Sequence, residues 1–142
     1  MSTWRKTAAV TLVAVVLPTL ALSEEQKPEP GQSVLRVIRD VVTTGVIDRQ
    51  PIDAATVFPP SVGALYYFTE IVGARTPTQI THAWYYDGQK IAEIPLGIEA
   101  AHWRTWSRKR ILPTWIGSWE VEAVDPDGNV LSSQTFDVRR TP

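Results

Sequence analysis

The chain has 142 residues, a formal net charge of −1, no cysteine, one methionine and six tryptophans. That length fits one ordinary domain, and 44% apolar with 20% charged residues is globular rather than disordered or collagen-like. Near-neutral charge argues against a nucleic-acid partner, and the missing cysteines exclude disulfide scaffolds, thiolate metal sites and Cys nucleophiles.

The N-terminus starts with Arg5 and Lys6, continues with an apolar run from Thr7 to Leu22, and ends with Ala21 and Ser23 as a small-x-small cleavage site before Glu24. This is the layout of a secretory signal peptide over residues 1–23. An uncleaved anchor, with both cations held in the cytoplasm, uses the same three parts. Either way the remainder is expected in the periplasm or on the extracytoplasmic face of the membrane. Residues 24–33 (EEQKPEPGQS) lack a large apolar side chain and read as a polar linker. A domain is then expected over 34–138, with 139–142 as a tail.

Within that domain, Val34 to Thr44 favours a strand, although its apolar spacing also tolerates a helix. DRQPIDAATVFPPS reads as irregular, because Pro51, Pro59 and Pro60 block ladder pairing. Gly63 to Val72 reads as a strand. Ile80 to Tyr86, Asp87-Gly88 and QKIAEIPLGI together spell a hairpin, since a type I′ turn needs positive φ at both central residues. In Trp103 to Arg110, Trp103, Thr105 and Ser107 share one face, with Arg104, Trp106, Arg108 and Arg110 on the other. WIGSWEVEAV aligns Trp115, Gly117, Trp119, Val121 and Ala123, and DPDGN turns the chain into VLSSQTFDV. About seven strands and no amphipathic helix in the domain predict an all-β fold. An antiparallel, immunoglobulin-like β-sandwich is the favoured architecture and a closed barrel the alternative.

The stretch HAWYYDGQKIAEIPLGIEAAHWRTWSRKRILPTWIGSWEVEAVDPDGNVL resembles a bacterial family of exported or membrane-tethered domains of unknown function. The shared features are a W-Y-Y-x-G hairpin, an A-E-[IV]-P-L strand, a W-R-T-W-S segment and a P-x-W-x-G-x-W run before a D-x-D-G turn. TTGVIDRQPID and FPPSVGALYYFTEI are similar to the family's N-terminal half, which extends the resemblance over most of 34–138. It implies a mostly β, exported or tethered module, and no activity.

Candidate chemistry is sparse. His82 and His102 are the two imidazoles, and neither sits in a metal-ligand spacing. His82 is in phase with Ile80 and Trp84 and reads as a packed or rim histidine. Ser107 and Ser118 lack the glycines of a nucleophile elbow. Asp125, Asp127 and Asn129 open like a calcium loop, but Val130 and Phe136 stand where that loop needs Gly and Glu. No cofactor is expected.

HWRTWSRKR is the most informative segment. Arg104, Arg108, Lys109 and Arg110 surround Trp106, and Trp and Arg are the residue types enriched in interface hot spots. The competing reading is a solvated strand face whose arginines sheath Trp106 by cation–π contact, partly neutralised by Glu120 and Glu122. Trp103, Trp115 and Trp119 read as core.

The function expected from these residues is a non-catalytic interaction module, a membrane-extrinsic accessory or structural subunit. It would dock a membrane protein complex at the periplasmic surface through the 104–110 strand, which could also meet anionic lipid head groups. The alternative is a glycan- or cell-wall-binding sandwich, for which Trp106 would have to form a platform with Tyr85 or Tyr66. A hydrolase would need a pocket holding His82 or His102 beside a carboxylate.

Overall fold

The computed structural model describes residues 34–142; the signal or anchor segment and the linker assigned to 1–33 lie outside the described residues. The described chain is all-β, with no helix. Its ten strands are β1 (Arg36–Thr43), β2 (Gly45–Ile47), β3 (Gln50–Ile52), β4 (Val57–Phe58), β5 (Ala64–Val72), β6 (Thr78–Tyr86), β7 (Gln89–Ile98), β8 (His102–Arg110), β9 (Gly117–Val124) and β10 (Val130–Val138).

Seven of these, β1 and β5 to β10, have eight to ten residues and are the strands legible in the sequence. The segment read as irregular instead contributes two short strands, β3 and β4, and the short β2 immediately precedes it. Pro51 sits inside β3, opposite Val46 of β2. Proline is tolerated there because β3 is one edge of a two-stranded ribbon and needs no donor on its open side. Asp48 and Arg49 at the ribbon's tip both take positive φ, as a two-residue hairpin turn demands. One pairing departs from the antiparallel expectation: β4 runs parallel to β10.

The long strands form a three-stranded sheet, β1-β5-β8, and a five-stranded sheet, β4-β10-β9-β6-β7, with no ladder between them among the described residues. Period-2 alternation turns one face of each toward a shared core. On β5, Leu65, Tyr67 and Ile71 point inward, and they join Ile80 and Trp84 of β6 and Trp119, Val121 and Ala123 of β9. Each Leu, Ile or Val side chain among these contributes about 1.5–3 kcal/mol when taken out of water. Trp84 meets Phe136 edge-on at 6.3 Å, and Trp119 stacks on Phe136 at 5.7 Å.

Polar groups cross this core, and each has its partner. The Asp40 carboxylate accepts from the Tyr67 hydroxyl at 2.8 Å and the Ser132 hydroxyl at 2.6 Å, linking β1, β5 and β10. Burial first, and then the Asp40 charge, push the Tyr67 hydroxyl above its ordinary range. The DPDGN turn is closed by its own aspartate: Asp125 accepts the backbone N–H groups of Asp127 and Asn129 at 2.9 and 2.8 Å.

The chain changes sheets between β8 and β9. Arg104, Trp106, Arg108 and Arg110 therefore sit on the outer face of the three-stranded sheet, while Glu120 and Glu122 sit on the outer face of the other.

Candidate functional site

Strand β8 pairs with β5 over nine consecutive residues, from Ala64↔Arg110 to Val72↔His102, without a register shift. Alternation sends Ser107 into the core and Trp106 outward, opposite Phe68 of β5. The Trp106 ring lies nearly parallel to the Phe68 ring, 6.3 Å away, and stays half-buried. Phe68 is fully buried although it points away from the main core. Trp106 covers one side of it, the Arg39 guanidinium lies over its ring at 5.7 Å, and the β2–β3 ribbon packs against β1 and β5.

The sheath expected around Trp106 is replaced by this stack. The cation–π contacts of the described residues are Arg39 on Phe68, Arg49 on Trp103, Lys90 on Tyr85 and Lys109 on Trp115. The expected neutralisation by Glu120 and Glu122 is also corrected, since those residues belong to the other sheet and Glu122 accepts from the Tyr85 hydroxyl. The carboxylate that meets the patch is Glu70 of β5, cross-strand from Arg104. Its Oε1 lies 2.6 Å from His102 Nε2 and 3.2 Å from Arg104 Nε. The hydrogen bond from His102 is the largest influence, and with Arg104 it holds the Glu70 carboxyl below its ordinary range against the opposing effect of burial.

The five patch residues separate. Arg104 is tied to Glu70. Arg108 and Arg110 have no carboxylate within ion-pair distance among the described residues. Lys109 leaves the face altogether: its ammonium lies 4.9 Å above Trp115, and burial, then the Arg110 charge, lower its proton affinity. Three residues not singled out from the sequence join the site: Phe68 beneath Trp106, Arg49 and Glu70. Arg49, at the tip of the β2–β3 ribbon, donates to the Arg104 carbonyl at 3.2 Å. With His102 and Arg104 it lines a recess of about 290 Å³. Glu70 is the third. The cross-strand pairing that brings it to Arg104 has no signature in the sequence.

The remaining candidates occupy other places. His82 is fully buried, with Ser107 Oγ at 2.8 Å from Nδ1 and Thr69 Oγ1 at 3.2 Å from Nε2. Thr69 donates to the Thr105 carbonyl and the Trp84 indole donates to Ser107. This order fixes the neutral ring with its proton on Nε2, donating to Thr69 and accepting from Ser107. The Ser107–His82 distance is that of a nucleophile and base, but both groups lie inside the core without access for a substrate. Trp106 and Tyr85 stand on opposite outer faces and cannot form one stacking platform, whereas Tyr66 shares the Trp106 face, cross-strand from Arg108 and half-buried. Tyr85 instead divides two recesses of about 400 Å³ each on the five-stranded sheet.

Residues 77–138, from the approach to β6 through β10, match the family described as Protein of unknown function (DUF2914). The match includes β8 and its arginines. It leaves out β1 to β5, and with them TTGVIDRQPID, FPPSVGALYYFTEI, Arg49, Phe68 and Glu70. No curated protein matches the chain.

Proposed function

We propose that this chain is a non-catalytic, extracytoplasmic interaction module built on an immunoglobulin-like sandwich. In this reading it is a membrane-extrinsic subunit, exported by its N-terminal segment. It docks a membrane protein complex at the periplasmic surface through the outer face of β8. The observation that carries the reading is Trp106, half-exposed on a fully buried Phe68 and flanked by Arg108 and Arg110, which no carboxylate of the described chain neutralises. A rigid aromatic with arginines beside it loses little entropy on docking and gains desolvated contact area. Catalysis is argued against by two things. The Ser107–His82 pair is sealed in the core, and the recess beside His102 is lined by Arg49, His102 and Arg104, with no hydroxyl or thiol nucleophile.

The test is affinity capture from detergent-solubilised membranes of the source cell with the exported domain as bait. A discrete partner is expected with the wild type and is lost with Trp106→Ala combined with Arg108→Ala. Both baits must show the same thermal midpoint. Equal capture by a folded double variant overturns the assignment of this face, and recovery of a free monomer overturns the docking role.

A further inference from the structure

Among the described residues, strand β8 is a long edge with no bulge, no proline and no covering strand. Edges are normally protected by bulges, prolines, short length, a cover or charged side chains, because a row of unpaired backbone groups invites another strand. On β8 the charges are all of one sign (Arg104, Arg108, Lys109 and Arg110), which repels a basic strand and attracts an acidic one. The β1 edge carries a bulge between Val37 and Arg39, and its Val42 carbonyl is taken by the Ala55 N–H at 3.2 Å. The β4 edge is two residues long, and the β7 edge contains Pro95. Strand β8 has nine residues, no proline and no bulge.

Its ladder shows which groups are open. Gly73 N–H donates to the Ala101 carbonyl and Ile111 N–H donates to the Gly63 carbonyl, both at 3.0 Å. These bonds bracket the β5–β8 register, so the odd-numbered residues of β8 bond to β5 and the even-numbered ones face away. The Arg104 carbonyl is taken by Arg49 and the Arg110 carbonyl by the Lys109 ammonium at 3.3 Å. The N–H and C=O groups of Trp106 and Arg108 have no backbone partner among the described residues. Two hydrogen-bonded residue pairs, with four bonds between them, are therefore on offer.

We infer that β8 binds its partner by strand addition, pairing with an extended acidic segment that places carboxylates opposite Arg104 and Arg108 and an apolar side chain opposite Trp106. The inference rests on the docking reading above and specifies its mode. Charge selects the occupant. A second copy pairing β8 with β8 would crowd the arginines of both strands onto one face, and would set arginine directly against arginine when Trp106 lies opposite Trp106 or Arg108, which is destabilising. An acidic strand finds Arg108 and Arg110, and, at its start, Arg49 beside the Glu70-bound His102 and Arg104. None of Arg49, Arg108 and Arg110 has a carboxylate within ion-pair distance among the described residues.

The probe is the blocked peptide Thr-Glu-Thr-Val-Thr-Glu-Thr, titrated against the exported domain. Its control carries the same side chains with the Val and both Glu amides N-methylated. The unmethylated peptide is expected to slow amide exchange at Trp106 and Arg108, and N-methylation is expected to weaken binding about tenfold or more. In the protein, Arg108→Pro removes an outward donor without breaking a β5 ladder bond, and should bind more weakly than Arg108→Ala. Equal binding of both peptides overturns strand addition in favour of side-chain charge alone. Failure of the peptide to bind, with β8-dependent capture from membranes intact, overturns the acidic strand while leaving the docking function standing. Binding to phosphatidylserine vesicles but not to the peptide overturns it in favour of a lipid surface.

Discussion

At the scale of single residues, the buried histidine is the clearest consequence of position. His82 is neutral because burial pushes its proton affinity down to about 3 and because Ser107 needs an acceptor at Nδ1. The unfolded chain takes up a proton near the ordinary value of 6.5, so it binds a proton that the folded chain refuses over the interval down to about 3. Stability therefore falls with pH across that window, by about 1.4 kcal/mol per pH unit at most. Glu70 acts in the same direction lower down: its contribution is present above the ordinary carboxylate value and lost as pH falls through its depressed one. Urea unfolding at pH 6.5 and pH 5 should show a loss of about 2 kcal/mol or slightly less for the wild type. His82→Gln, less stable throughout, should show a markedly smaller loss. Equal losses would remove His82 as the cause. The packing of His82 was legible in its phase with Ile80 and Trp84, whereas its partners were not, because Thr69 and Ser107 arrive from the opposite sheet.

Turn chemistry governs the elements. Asp87 and Gly88 take φ of 49° and 76°, and the Asp-Gly pair announced that hairpin from sequence. Gly73 gave no such notice. It takes φ of 100° between β5 and β6, donates to Ala101, and a Cβ there would overlap the Val34 carbonyl oxygen. Gly73→Ala should cost about 3 kcal/mol, because backbone strain and a backbone clash coincide. At Gly88 nothing lies near an added Cβ, so Gly88→Ala should cost only the φ strain, about 1–2 kcal/mol. Denaturant midpoints of the two variants check the order, and a costlier Gly88→Ala would refute it. The β2–β3 ribbon was missed for a related reason. Pro51 reads locally as a break in a sheet, and only the tertiary arrangement shows that its strand is an edge.

Across the whole molecule, the family match and the folding unit do not coincide. Residues 77–138 contain all of the five-stranded sheet except β4, but among the described residues β8 has its only ladder with β5. Trp84 and Val121 likewise pack against a core that Leu65, Tyr67 and Ile71 complete. A fragment of 77–138 should therefore lack a cooperative unfolding transition and bind hydrophobic dye, while 34–142 unfolds in one step. Calorimetry and dye fluorescence distinguish these outcomes, and a cooperative fragment would show that the five-stranded sheet is self-sufficient.

The sequence alone determined six of the long strands and favoured the seventh, β1, and it set the inward phase of Trp84, Trp119, Val121 and Phe136 and the outward phase of Arg104, Trp106 and Arg108. Alternation and turn residues are local, and local physics suffices for them. Only the tertiary structure decided that Glu70 rather than Glu120 or Glu122 meets Arg104, that Trp106 rests on Phe68, and that β8 is left as an open edge. Those facts depend on which strands become neighbours. Neighbours are chosen by the burial of one shared core, to which residues far apart in the chain contribute together.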